Sequence, residues 1–369
     1  MLRFVAVFLV LGRHMGTPPA TWPGSARFLL STWHCGGWVG VDLFFVLSGF
    51  LVSGLLFSEL KVLGKFSILR FYTRRGWRIY PPFIVLTATT VIVCRAFGIP
   101  IPPSWILSEC LFLQSYLPGL WNHTWSLAVE EHFYLLLPLS LLLLLKVNRG
   151  SARPPVRPLL TGAAIIALSV LALRLFNFYE RSSYDHVTHL LPTHLRLDSL
   201  SFGVAISSLY HFETAQFHRI LFRWRKALVL IGALTLVPAF IFPIESTPYI
   251  YTFGFTFFYL GSGVLMVGML LWELPSSRIV TAAAALGMNS YSIYLWHMPV
   301  SFWGGRVMNR LFGSSLGYGG RTLIYLIGSF VVGTIMARLV ELPALRLRDR
   351  WFPAKTAGAI EIRPEDASR

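Results

Sequence analysis

Charged side chains are scarce in this chain of 369 residues, where Asp, Glu, Lys and Arg together make up 13%. Soluble domains carry about 25%, so too little polar surface exists to cover a water-soluble globule of this length. Cysteine is rarer still. Cys35, Cys94 and Cys110 are odd in number and follow no zinc-ligand spacing, and nothing supports a disulfide between Cys35 and Cys110. No short-period repeat and no low-complexity segment occurs. A cleavable leader is not expected, because the first apolar run carries Arg3, Arg13 and His14 and no clean small-residue cleavage site follows it.

Apolar residues, in contrast, make up 55% of the chain. They fall into blocks of about 17–25, the length that crosses a ~30 Å hydrocarbon core at 1.5 Å per helical residue. Leu135 to Leu145, for example, is broken only by Pro138 and Ser140. Every backbone polar group must be satisfied inside lipid, so such blocks are helices. The chain is therefore expected to be an all-α, polytopic membrane protein with about ten transmembrane helices. Their approximate positions are 2–18, 38–58, 79–97, 125–146, 158–177, 194–210, 227–243, 250–272, 279–303 and 321–341. The stretch from Ser104 to Leu117 is too short to cross and is expected as an interfacial or re-entrant helix. Residues 1–345 would form one transmembrane domain and residues 346–369 an unstructured cytoplasmic tail, with no soluble domain after it.

The net charge of +16 would suggest nucleic acid in a soluble protein. Here the partner it implies is the lipid bilayer, because basic residues on cytoplasmic loops set membrane orientation. Segments 59–78, 146–158, 211–226, 273–278 and 342–369 hold 21 Lys and Arg, whereas 15–37, 98–124, 178–193, 244–249 and 304–320 hold 4. A wrong span count would scramble that alternation. Both termini are expected in the cytoplasm, and the chain in the cell (inner) membrane.

An ionisable side chain inside a span costs about 2.5–3.5 kcal/mol on insertion scales and usually lines a cavity or finds a partner. Arg3 and His14 share the first span, about 16 Å apart along a helix. Asp42 opens the second, Glu130 and Glu131 lie in the fourth, Arg196 and Asp198 open the sixth, and His297 is late in the ninth. The expected orientation puts His14, Asp42, Glu130, Glu131, Arg196, Asp198 and His297 at one outer depth, around a polar cavity open to the extracytoplasmic side. Glu130 and Glu131 point ~100° apart on a helix, so only one can face a given ligand. His297 alone reads more readily as an interfacial or packed histidine, and Arg196 with Asp198 equally as a structural ion pair. His14 is the natural proton carrier near neutral pH.

At the opposite end, Phe66 to Trp77 leads into Arg78 through a run rich in arginine and aromatics. If helical, Arg70, Arg74 and Arg78 share one face at i, i+4, i+8. Guanidinium forks suit phosphates and interleaved aromatics suit a purine ring, although a plain positive-inside anchor would look similar.

Taken in order, these stretches resemble the acyltransferase-3 family of integral-membrane O-acyltransferases. Arg3 and His14 stand as Arg-x10-His. Gly40-Val41-Asp42-Leu43-Phe44-Phe45-Val46-Leu47-Ser48-Gly49-Phe50 is similar to the family's second motif, and Phe71-Tyr72-x-Arg74-Arg75-x-x-Arg78-Ile79-x-Pro81 to its third. Trp125-Ser126-Leu127 through Glu130-Glu131-His132-Phe133-Tyr134 follows, then Arg196-Leu197-Asp198-Ser199-Leu200-x-x-Gly203, Ser290-Tyr291-Ser292-x-Tyr294-Leu295-Trp296-His297-x-Pro299 and Glu341-x-Pro343. Two departures stand out. Only Met1 and Leu2 precede Arg3, and His132 replaces the family's usual Gln.

The resemblance implies an enzyme moving an acyl group, commonly acetyl, from acyl-CoA to a hydroxyl of a carbohydrate or glycosylated acceptor, with no permanently bound cofactor and no metal. Arg74, Arg75, Arg78 and Tyr72 would hold the donor from the cytoplasmic side. Arg3 would grip a phosphate or the thioester, and His14 would act as general base or carry the acyl group. Asp42 or Glu130 would orient the imidazole, with Arg196, Asp198 and His297 on the acceptor side. The rival reading is a transporter or flippase of a polar glycan or metabolite using a proton relay, although the paired broken-helix halves common in transporters are not evident.

Overall fold

The computed structural model describes residues 1–148, 155–181, 183–275, 277–312 and 316–353, and among them every regular element is helical. In chain order the α-helices are α1 (Leu2–His14), α2 (Gly24–Gly36), α3 (Gly40–Leu63), α4 (Ile68–Ala96), α5 (Pro103–Cys110), α6 (Trp125–Val147), α7 (Val156–Glu180), α8 (Leu197–Phe212), α9 (Thr214–Leu221), α10 (Arg225–Ile241), α11 (Phe255–Leu270), α12 (Arg278–Met288), α13 (Ser290–Pro299), α14 (Gly305–Phe312), α15 (Tyr318–Met336) and α16 (Leu342–Trp351). Seven helical stretches among the described residues are long and apolar enough to cross a membrane: Gly24–Leu63, Ile68–Ala96, Asn122–Val147, Val156–Glu180, Thr214–Ile241, Ile250–Leu270 and Tyr318–Trp351. This is a multi-pass, all-α membrane chain.

The expected count of ten goes beyond those seven. Three expected spans fall on α1, α8 and the α12–α13 pair. α1 has 13 residues and α8 has 16, about 20 and 24 Å at 1.5 Å per residue, shorter than a ~30 Å core. α1 stops at His14, and the Thr17-Pro18-Pro19 stretch beyond it is non-helical, since successive prolines have no amide hydrogen to donate. α4 begins eleven residues earlier than expected, because Ser67 caps it by accepting from the Arg70 amide at 3.3 Å. The basic run is thus the first part of a membrane-length helix rather than a loop. The helix expected over Ser104–Leu117 is confined to Pro103–Cys110, and the chain then turns through Phe112, whose φ is 55°.

Helix α16 runs to Trp351, so residues 346–351 are ordered helix rather than unstructured tail. The rest of that expected tail, from residue 354, lies outside the described residues. Cys35, Cys94 and Cys110 are all free thiols.

α1 sits at the centre, packed against α2, α3, α12 and α13. α3 crosses α8 at a distance only glycine permits: a Cβ on Gly49 would lie 2.0 Å from the Leu200 carbonyl oxygen, and one on Gly203 2.3 Å from that of Val46. That crossing brings Asp42, near the start of α3, beside the residues that open α8. Many lipid-height side chains on α7 and α10, such as Leu168, Phe176, Leu230 and Leu234, are exposed, as a face turned to hydrocarbon should be.

Candidate active site

Three cavities follow α1 from Arg3 to His14. The first, about 350 Å³, is lined by Arg3, Arg70, Arg74, Arg75, Arg78 and Arg348, with Glu59 the acidic residue in its wall. Arg70, Arg74 and Arg78 therefore do share a face, as their spacing on a helix requires. The second is a constriction of about 70 Å³ between Arg3, Ser48, Ser126, Glu130 and Tyr294. The third, about 300 Å³, is lined by Arg13, His14, His34, His123, His186 and Arg196, among others. Arg3, Arg75 and Arg78 line both the first and second. Val41 and Tyr294 line both the second and third. Val41 and Tyr294 therefore stand between the constriction and the His14 cavity.

The constriction is tightly wired. Arg75 donates to the Tyr134 hydroxyl and its guanidinium lies 4.0 Å from that ring's centroid. Tyr134 in turn donates to Glu130 at 2.6 Å and pairs with the Ser48 hydroxyl. Arg75 is also 3.8 Å from the Glu130 carboxylate. Arg78 lies 3.9 Å from Glu341, which accepts from the Ser292 hydroxyl at 2.7 Å. Arg3 makes no ion pair with a carboxylate among the described residues. Glu131 faces elsewhere and accepts from the Tyr80 hydroxyl at 3.2 Å, so of the adjacent pair only Glu130 meets the cavity.

At the far end His14 belongs to a histidine cluster. Its ring centroid is 5.0 Å from that of His297, which is 4.8 Å from that of His123. The His14 Nδ1 is hydrogen-bonded to the Val10 carbonyl at 3.0 Å. That carbonyl can only accept, so Nδ1 carries the proton and Nε2 is the basic nitrogen. His297 is fully buried, with Nδ1 donating to the Tyr294 carbonyl at 2.5 Å. No group of three or more His, Cys, Asp or Glu among the described residues is placed to hold a metal ion.

Several expected roles are corrected by this geometry. Asp42 accepts from Arg196 at 2.7 Å, and Glu130 is engaged with Tyr134 and Arg75. Neither orients the His14 imidazole, which the Val10 carbonyl holds instead. Glu130 lies one helical turn past Ser126, and that turn carries it to the Arg75 end rather than to the histidines. Arg196 and Asp198 do not pair with each other. Asp198 accepts from Arg174 at 2.5 Å, and the two ion pairs Arg196–Asp42 and Arg174–Asp198 lie side by side, all four side chains buried. Arg196 still lines the His14 cavity. Tyr72 donates to the Leu135 carbonyl at 2.7 Å and lies outside the basic cavity. At the rim of the His14 cavity, Arg13 binds Glu245. Burial alone would raise that carboxyl's pKa, but the Arg13 hydrogen bond and charge hold it below its ordinary value.

Two members of this constellation escaped the sequence reading. Arg174 is a charge inside an apolar span, the same signal that singled out the others. His123 lies two residues before Trp125, in a segment read as a loop, where a lone histidine carries no signal.

The acyltransferase domain model of the acyltransferase-3 family matches residues 1–338. The chain is 27% identical over 325 residues to the peptidoglycan O-acetyltransferase OatA of Listeria monocytogenes, covering 81% of this chain and 48% of that protein. It is 28% identical over 300 residues to the O-acetyltransferase OatA of Staphylococcus aureus, covering 74% and 47%. The chain thus spans about half the length of the curated relatives it matches. No solved structure matches. Family model, ordered motifs and the Arg3-to-His14 arrangement agree: the chain belongs to the acyltransferase-3 family.

Proposed function

We propose that this chain is a membrane O-acyltransferase that moves an acyl group, acetyl in the simplest case, from acyl-CoA to a hydroxyl of a carbohydrate. The observation that carries the reading is the line of cavities along α1, with six arginines at one end and His14 at the other. Multiply charged phosphates belong at the arginine end. The positive-inside rule favours that end as the cytoplasmic one, where acyl-CoA is available. Pantetheine then threads the constriction past Arg3, and the thioester reaches the wall formed by Val41 and Tyr294.

The acceptor enters the cavity on the far side. Nε2 of His14 removes the hydroxyl proton as the oxygen attacks the thioester carbonyl, and the thiolate of CoA leaves toward Arg3. Fixing Nδ1 on the Val10 carbonyl keeps the basic nitrogen in one tautomer, the service a carboxylate performs in many hydrolases. The acceptor named for the Listeria relative is peptidoglycan; a glycan hydroxyl is the corresponding class here, and acyl transfer to it changes the cell surface.

Membranes containing the chain, incubated with labelled acetyl-CoA and extracted glycans, should yield label in an alkali-labile ester, and membranes with His14→Ala should not. Movement of glycan across the vesicle membrane without ester formation would instead support a transporter.

A further inference from the structure

Arg348 lies on α16, apart from the arginine run of α4, yet it lines the same basic cavity. Its neighbours Arg346 and Arg350 are exposed and do not. The guanidinium grips the adjacent Asp349 as a fork, Nε to Oδ1 at 3.0 Å and Nη2 to Oδ2 at 2.9 Å. Asp349 also accepts from Arg74 at 3.0 Å. One half-exposed carboxylate thus serves two arginines.

Charge balance around the cavity is uneven. Its six arginines face four carboxylates, Glu59, Asp349, Glu130 and Glu341, and Arg3 has none within ion-pair distance among the described residues. A fork that fits a carboxylate also fits a phosphate, and a phosphate brings more charge and more acceptor oxygens. Position sorts the arginines. Arg3, Arg75 and Arg78 also line the constriction, whereas Arg74 and Arg348 line only the basic cavity and are farther from where the thioester must go.

We propose that Arg348, with Arg74, binds the ribose 3′-phosphate of the acyl-CoA donor, and that Asp349 fills this position until the phosphate displaces it. The proposal rests on acyl-CoA being the donor. The diphosphate then falls to Arg3, Arg75 and Arg78, nearer the pantetheine arm. The exchange replaces the hydrogen-bonded ion pairs to Asp349 with ion pairs to the phosphate, so no covalent bond is made or broken.

The test compares acetyl-CoA, acetyl-dephospho-CoA and acetyl-pantetheine as donors for the full chain in membranes. The wild type should prefer acetyl-CoA to acetyl-dephospho-CoA by about tenfold or more in kcat/KM, and Arg348→Ala should erase that preference through KM, with Arg350→Ala retaining it. A wild type that treats the two nucleotide donors alike, or an Arg348→Ala enzyme that still discriminates, overturns the proposal while leaving acyl-CoA as donor. A wild type that also treats acetyl-pantetheine like acetyl-CoA removes the nucleotide from recognition and with it the donor reading itself. Should Arg348→Ala fail to accumulate, Asp349→Asn gives an independent reading. It should lower KM for acetyl-CoA two- to threefold and leave acetyl-dephospho-CoA unchanged, and no selective change overturns the proposal.

Discussion

Arg196 reaches from the start of α8 to Asp42 on α3 and closes a 2.7 Å ion pair in which neither side chain touches solvent. Beside it Arg174 and Asp198 form a second pair at 2.5 Å, and the Ser199 hydroxyl touches Asp42 at 3.4 Å. The four charges sum to zero, which is what makes them tolerable at such depth. Their first task is to lock α3, α7 and α8 together.

Removing one partner leaves an uncompensated buried charge, a loss of about 3–5 kcal/mol. Asp42→Ala is therefore expected to lower the melting temperature in detergent and reduce accumulation in membranes. Asp42→Asn, which can still accept from Arg196, should be milder. Both are read by thermal unfolding of the purified protein. An Asp42→Ala protein as stable as wild type but inactive would return Asp42 to the chemistry.

His14→Ala should leave accumulation and melting temperature near wild type, because the ring is only partly buried at the end of α1. Acyl transfer should fall by about 10²–10⁴-fold, the range general-base catalysis typically contributes. Measuring kcat with saturating donor separates this from a binding defect. Retained transfer would take His14 out of the reaction.

Arg75→Ala should act through the donor. The side chain bonds Tyr134 and sits beside Glu130 while lining two cavities. Hydrogen bonds to charged groups contribute about 1.5–3 kcal/mol each, so KM for acyl-CoA should rise at least tenfold. An unchanged KM would reduce the basic run to a membrane anchor.

Much of this site was legible because the expensive residues announce themselves. A charge within an apolar block needs a reason, and Arg3, Asp42, Glu130, Arg196, Asp198 and His297 were found that way. Which residue pairs with which was not legible. Asp42 met Arg196 rather than His14 because the Gly49–Gly203 crossing fixes the rotation of α3 against α8, and helix rotation is set by packing that no single-chain pattern encodes. The seven long apolar stretches were readable from length. The extent of α4 was not, since its arginine-rich start looks like a loop until the Ser67 cap is seen. His123 could not have been chosen from its surroundings in the sequence. Only the fold brings it to His297.

Glu109 on α5 offers a pH test outside the long apolar helices. It is buried, accepts from the Leu120 amide at 3.0 Å, and burial pushes its carboxyl up to about 7. Its folded pKa is raised above the unfolded value, so the stability it contributes is full below about 4.5 and declines as pH rises through about 7. Thermal stability in detergent should fall across that window, and Glu109→Gln, which has no proton to lose, should flatten the profile. A wild-type melting temperature independent of pH from 5 to 8 would refute this assignment.

Tyr294 carries the last prediction, because it stands in the wall between the constriction and the His14 cavity. Its hydroxyl bonds both the Ser126 hydroxyl at 2.6 Å and the His123 carbonyl at 2.7 Å, so the ring is held in place rather than left to swing. A thioester brought to this wall must be kept from water until the acceptor arrives, since hydrolysis competes with transfer wherever water is admitted. Tyr294→Phe keeps the ring and loses the two hydrogen bonds; it should retain most transfer. Tyr294→Ala should open the wall, lowering ester formation and raising acceptor-independent release of CoA. The ratio of CoA released to ester formed, followed with a thiol reagent and labelled donor, reads the effect directly. A ratio equal to wild type in Tyr294→Ala would mean that the barrier to water lies elsewhere.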